Sequence, residues 1–180
     1  MVTILSIDGG GIRGVIPAVF LAEFEKRTGK PICELFDLVA GTSTGGILAA
    51  ALTVPNIRGK PKYSAEQVCS AYAEHGGAIF HRRLLRSVTT FGGLSRPIYS
   101  PRTLELMLEQ YLGNERLHTT LTEILVTAYD MASGTPWFFK TSFAKHHHAP
   151  ADDPLLTQVV RATTAAPTYF PPLMMEGHCL

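Results

Sequence analysis

No apolar run in this sequence approaches the ~20 residues needed to span a bilayer. The opening MVTILSIDGG lacks the basic start and the long apolar core of a secretory signal. Cysteine is scarce: Cys33, Cys69 and Cys179 are odd in number and widely spaced, which makes neither a disulfide framework nor a zinc pattern and points to a reducing compartment. An excess of one charge is missing too, and a net charge of +1 gives no bulk electrostatic basis for holding nucleic acid. There is no internal repeat and no low-complexity tract. The expectation is a soluble, cytoplasmic chain with no nucleic-acid partner.

What is present describes a folded domain. Of 180 residues, 46% are apolar and 17% charged, enough to bury a core within a single domain spanning residues 1–180. Thr3 to Ile7 is short, apolar and β-branched, and it stops at Asp8 and three glycines, as a buried strand entering a tight loop does. Pro17 suits a first helical turn, and Ile16, Phe20 and Phe24, with Val19 alongside, give that helix an apolar side expected to face the core. Leu35 to Ala40 reads as a second strand, followed by a buried helix through TGGILAAAL. Ser64 and Gln67 form a capping box, Ser100-Pro101 opens another helix that ends at Gly113, and Ile124 to Tyr129 is a third strand. A short strand through Trp137 to Phe139 and a last helix from Asp153-Pro154 complete an α/β pattern with a mostly parallel sheet.

Chemistry concentrates at two glycine-rich turns. Gly41-Thr42-Ser43-Thr44-Gly45 has the form G-x-S-x-G between a strand and a helix. There a sharp turn lifts the serine hydroxyl clear of the sheet, and the following helix aims free N–H groups at it. The other turn is Asp8-Gly9-Gly10-Gly11-Ile12-Arg13-Gly14. Taken alone, Gly9, Gly11 and Gly14 match the G-x-G-x-x-G of a dinucleotide-binding module, with Glu34 or Asp37 as the ribose acid. The second strand nevertheless ends in AGTSTGG, where that fingerprint expects an acid, and neither glycine loop contains the Gly-Lys-Ser/Thr of a phosphate P-loop. Beside Ser43 the same loop has another use: the amides of Gly10 and Gly11, with that of Thr44, suit the oxyanion of an acyl transfer.

The segments LSIDGGGIRGVIPA, FDLVAGTSTGGILA and RATTAAPTYFPP, in this order and separation, resemble the patatin-like phospholipases, serine lipid acyl hydrolases. The resemblance implies a three-layer α/β/α fold and a Ser–Asp dyad without cofactor or metal. It makes Ser43 the nucleophile, Gly9, Gly10 and Gly11 the oxyanion loop, and Arg13 part of the loop's structure. The substrate it implies is a lipid acyl ester, with acyl transfer to another alcohol as a close variant. The family's aspartate follows AAPTYFPP in an Asp-Gly-Gly or Asp-Gly-Ala motif, but the one Asp-Gly pair here is Asp8-Gly9. The expectation is therefore a domain incomplete at its C-terminal end, inactive as it stands for want of the base. A catalytically silent lipid-binding domain is the other alternative.

Remaining candidates carry structural readings. Asp130 closes the third strand and is expected to brace the next turn. Glu176 and His178 are read as solvent-facing, and His81 and His118 as surface or structural groups. His146 to His148 read as an exposed loop instead of a metal site. Arg82, Arg83, Arg86 and Arg96, mixed with Phe80, Leu84, Leu85 and Phe91, make either a solvated loop or a flap for peripheral contact with an anionic membrane.

Overall fold

The computed structural model describes residues 1–79, 101–147, 152–167 and 169–180. Four strands form one sheet in the order β1 (Ile4–Ile7), β2 (Leu38–Thr42), β3 (Glu123–Asp130) and β4 (Thr135–Lys140). β1, β2 and β3 are parallel, with Ile7 opposite Gly41 and Thr42 opposite Thr127; β4 returns antiparallel through a tight turn. The helices are α1 (Val15–Thr28), α2 (Ile32–Leu35), α3 (Thr44–Thr53), α4 (Ala65–Ile79), α5 (Pro101–Leu112), α6 (Thr141–His146) and α7 (Leu156–Thr163). A small hairpin, β5 (Met174–Met175) with β6 (His178–Cys179), ends the chain. The α/β class and the mostly parallel sheet agree with the sequence.

Every residue of α3 is buried. It lies against β1, β2 and β3 on one side and against α4 and α5 on the other, so a helix without a polar face has no water to meet. Ile7, Val39, Ile124, Val126 and Phe139 supply the sheet side of this core. Thr42, Tyr129 and Phe138, on the opposite face, are exposed. β1 is an edge strand among the described residues.

Two expectations are corrected here. On α1, the predicted core side of Ile16, Val19, Phe20 and Phe24 is half or more exposed, while Ala18 and Leu21 are buried. The inward seam is Gly14, Ala18, Leu21 and Glu25, at helical spacing. Glu25 is the reason a charged residue belongs on it: its two carboxylate oxygens accept the backbone N–H of Ile32 at 2.9 Å and of Ala65 at 2.7 Å, so one side chain caps α2 and α4 together. The second strand also starts later than expected. Residues 32–35 make a helical turn, and Asp37 is held by the Thr3 amide and hydroxyl at 2.7 and 2.9 Å before β2 begins. The Ser64–Gln67 capping box forms as expected, with reciprocal bonds of 2.9 and 3.2 Å.

Candidate functional site

Ser43 is the single residue between β2 and α3, with φ 54° and ψ −119°. Only two described non-glycine residues have positive φ, and this is one of them. Such a backbone carries strain of about 1–3 kcal/mol, tolerated only where the surroundings enforce it. The enforcement is visible. A Cβ on Gly41 would stand 2.3 Å from the Gly45 carbonyl oxygen, and a Cβ on Gly45 would stand 2.0 Å from that of Ile7. Both glycines are required because the turn closes on itself and α3 starts directly on the backbone of β1. The Ser43 N–H donates to Thr163 Oγ1 at 2.8 Å, so the last residue of α7 holds the turn from behind.

The glycine loop after β1 meets this turn. A Cβ on Gly9 would come to 3.1 Å from Ser43 Cβ and from the Thr42 carbonyl oxygen, and one on Gly14 to 3.0 Å from Thr44 Cβ. The Gly10 N–H donates to Thr44 Oγ1 at 3.1 Å, tying loop to helix. Arg13 Nε reaches the Gly10 carbonyl at 3.4 Å, within the loop, and Asp8 is exposed. The amides of Gly11 and Thr44 have no protein acceptor among the described residues. Tyr72, whose phenol burial pushes far above its ordinary pKa, donates from its hydroxyl to the Thr44 carbonyl at 3.1 Å. Gly9, Gly10, Gly11, Arg13, Ser43 and Thr44 line a cleft of about 410 Å³ whose wall also includes Leu104, Thr164, Ala166, Tyr169 and Phe170.

That wall is the stretch the sequence left without a role. This part of the chain brings Thr163 under Ser43 and places Thr164, Ala166, Tyr169 and Phe170 in the wall of the same cleft. Arg161, buried, holds the segment by donating from Nη2 to the Pro171 carbonyl at 2.7 Å and pairing through Nε with Glu105 of α5 at 3.1 Å. A threonine in a helix gives no signal of its own for such a role.

The other candidates lie elsewhere. Asp130 does brace its turn, accepting from Ala132 N–H and Ser133 Oγ, and it also takes His178 Nδ1 at 2.9 Å and Cys179 N–H at 3.1 Å. These hydrogen bonds, the His178 ring foremost, hold its carboxyl well below the usual carboxylate range. His178 is thus not solvent-facing as expected: it bonds Asp130 and lies with its ring centroid 4.2 Å from that of Trp137. Glu176 is exposed. His118 pairs with Asp153 at 2.6 Å before β3 begins, at the end of the sheet remote from Ser43. His146 bonds the Ser142 carbonyl and His147 stacks on Phe143; among the described residues no group of three His, Cys, Asp or Glu is placed to hold a metal ion. His81, His148 and the Arg/Phe segment from Phe80 to Arg96 lie outside the described residues. No carboxylate or imidazole among the described residues is hydrogen-bonded to the Ser43 hydroxyl.

The dinucleotide reading loses its acid. Asp37 is pinned at the N-terminal end of β2, whereas the glycine loop leaves the C-terminal end of β1, about 13 Å away at strand rise. Glu34 is exposed on α2. The three cysteines are free, and no described helix is long and apolar enough to cross a membrane.

Comparison with known proteins gives the same picture. Residues 5–180 match the family model described as patatin-like phospholipase. Patatin-like protein 2 of Oryza sativa subsp. indica is 40% identical over 180 residues, covering 95% of this chain and 44% of that protein. Patatin-2-Kuras 1 of Solanum tuberosum is 38% identical over 99% of this chain and 47% of its own length, and Patatin-07 of the same species is 37% identical over 96% and 44%. The chain therefore spans less than half the length of these relatives. With Ser43 raised on a strained turn, a glycine loop laid against it and a family match over nearly every residue, the chain belongs to the patatin-like phospholipases.

Proposed function

We propose that Ser43 is the nucleophile of a lipid acyl hydrolase acting on phospholipid or lysophospholipid esters. The observation that carries this reading is the positive-φ Ser43 with Gly9 packed on its side chain, at the mouth of a cleft. The Ser43 hydroxyl attacks the ester carbonyl and its proton passes to a carboxylate base. The tetrahedral oxyanion is met by the amides of Gly11 and Thr44, each contributing roughly 10²–10³ in rate. The Gly10 amide, engaged by the Thr44 hydroxyl, keeps the loop in place instead. The lipid alcohol leaves with the proton, and water then attacks the acyl–serine ester to release the fatty acid and restore Ser43. As the resemblance implies, the base is an aspartate, and Asp130 does not fill that role because four donors already occupy it.

A fluorophosphonate probe tests the nucleophile on the full-length protein. Labelling at Ser43 that Ser43→Ala removes, together with loss of ester hydrolysis, is the expected result. Hydrolysis that survives Ser43→Ala overturns the assignment.

A further inference from the structure

α1 is apolar on two sides. Its inner seam, with Ala18 and Leu21, is buried, yet Ile16, Val19, Phe20 and Phe24 stand half or more exposed on the outer side. Phe20 is on a crest between two grooves. One, of about 580 Å³ against β1, it shares with Ile16 and Phe24; the other, of about 1170 Å³ against α4, it shares with Val19. The outer side of α1 is therefore a ridge, about 21 Å long.

One end of the ridge adjoins the site. Ile12, exposed one turn before Ile16, stands with Arg13 in the wall of the Ser43 cleft. The other end is basic, with Lys26 and Arg27 in the last turn and Lys30 just beyond it. Arg27 pairs with Glu23 at 2.6 Å, while Lys26 and Lys30 make no ion pair among the described residues. Glu25 is turned inward onto the Ile32 and Ala65 amides, so the outer side of α1 keeps a surplus of two lysines. Glu66 lies across the wider groove, on α4.

These charges choose between partners. A protein packed over the ridge would bury the Glu23–Arg27 pair, and taking both ions out of water costs about as much as their attraction returns. A lipid surface leaves that pair wet among the headgroups while hydrocarbon covers the phenylalanines. Anionic phosphates answer the two lysines. Aromatic side chains on an exposed helix side, with lysines at its end, are the composition of a helix lying in a bilayer interface.

We propose that the outer side of α1 docks flat on an anionic lipid surface and holds the Ser43 cleft beside it. The choice of lipid rests in part on the hydrolase reading, whose substrate is drawn from such a surface.

Co-sedimentation of the full-length protein with vesicles of ether-linked phosphatidylserine and phosphatidylcholine in equal parts tests the docking, on lipids that an ester hydrolase leaves intact. Binding is expected at low salt and should weaken as salt rises. Lys26→Gln with Lys30→Gln should lower the partition coefficient about 25-fold, roughly fivefold per charge, and leave it unchanged on phosphatidylcholine alone. Phe20→Ser with Phe24→Ser should lower it roughly tenfold or more on both kinds of vesicle. Absent binding, or binding that either pair leaves unmoved, overturns the docking ridge. So does a marked fall in melting temperature on changing the two phenylalanines, the result expected if another protein segment covers α1. Fluorophosphonate labelling of Ser43 without vesicle binding removes the ridge alone. Vesicle binding that both pairs weaken, without labelling, removes the hydrolase reading and leaves the ridge standing.

Discussion

Replacing Gly45 by alanine puts the tightest contact of the site under test. The added methyl would lie 2.0 Å from the Ile7 carbonyl oxygen, with backbone on both sides of the clash and no flexible side chain to yield. α3 must lift from β1 by about 1 Å before the contact becomes tolerable, and overpacking of this kind costs about 1–3 kcal/mol, the upper end applying here. At roughly 2–4 °C per kcal/mol for a domain of this size, the melting temperature should fall by about 6–12 °C. The same lift carries Ser43 away from the glycine loop, and a misplacement of about 1 Å at a reacting group is worth up to 10²-fold in rate. Thermal denaturation by circular dichroism and the rate of fluorophosphonate labelling read the two effects. Gly59→Ala is the control: Gly59 has φ 67° and open space around it, so alanine there meets only left-handed backbone strain, about 1–2 kcal/mol, with labelling untouched. A Gly45→Ala protein that melts with the wild type and labels at its rate would refute the close approach of α3 to β1.

Other outcomes follow from the same contacts. Ser43→Gly should abolish labelling yet raise stability in denaturant by up to about 1 kcal/mol, because glycine adopts the positive φ without strain; a loss of stability would contradict the strained turn. Thr163→Val leaves the Ser43 N–H without its acceptor and should cost about 1–3 kcal/mol, with slower labelling, by the same two measurements. Phe20→Ser with Phe24→Ser should each cost no more than about 0.5 kcal/mol and lower hydrophobic-dye binding, whereas core phenylalanines would cost about 3–5 kcal/mol each. The stability that ionised Asp130 contributes is complete above its unfolded pKa near 3.9 and declines as pH falls from there through its lowered folded value. Trp137, beside His178, should report that release by fluorescence below about pH 4, and Asp130→Asn should remove this acid transition.

Much of this was legible in the sequence where a local rule decides the structure. The strand–turn–helix around Ser43, the box at Ser64 and Gln67, and the brace at Asp130 all depend on residues a few positions apart. What was not legible depends on partners far along the chain. The apolar stripe of Ile16, Phe20 and Phe24 invited the core, but α1 packs by the smallness of Gly14 and Ala18 and by Glu25, whose value appears only once α2 and α4 present their first amides to it. Thr163 is 120 residues from Ser43, and no pattern within a helix announces that its hydroxyl supports a distant turn. His178 looked like a surface group because its partner, Asp130, lies in another hairpin.

The complete burial of α3 has a consequence for how this molecule fails. A helix with a wet side can survive when its neighbours loosen; this one has none, so any partial melting that admits solvent strips it of the walls that define it. Because Ser43 caps its first turn, the nucleophilic role proposed for that residue and the integrity of the helix should vanish in the same event. Probe labelling at residue 43 therefore doubles as a gauge of the intact state, and no half-melted population should carry a live nucleophile.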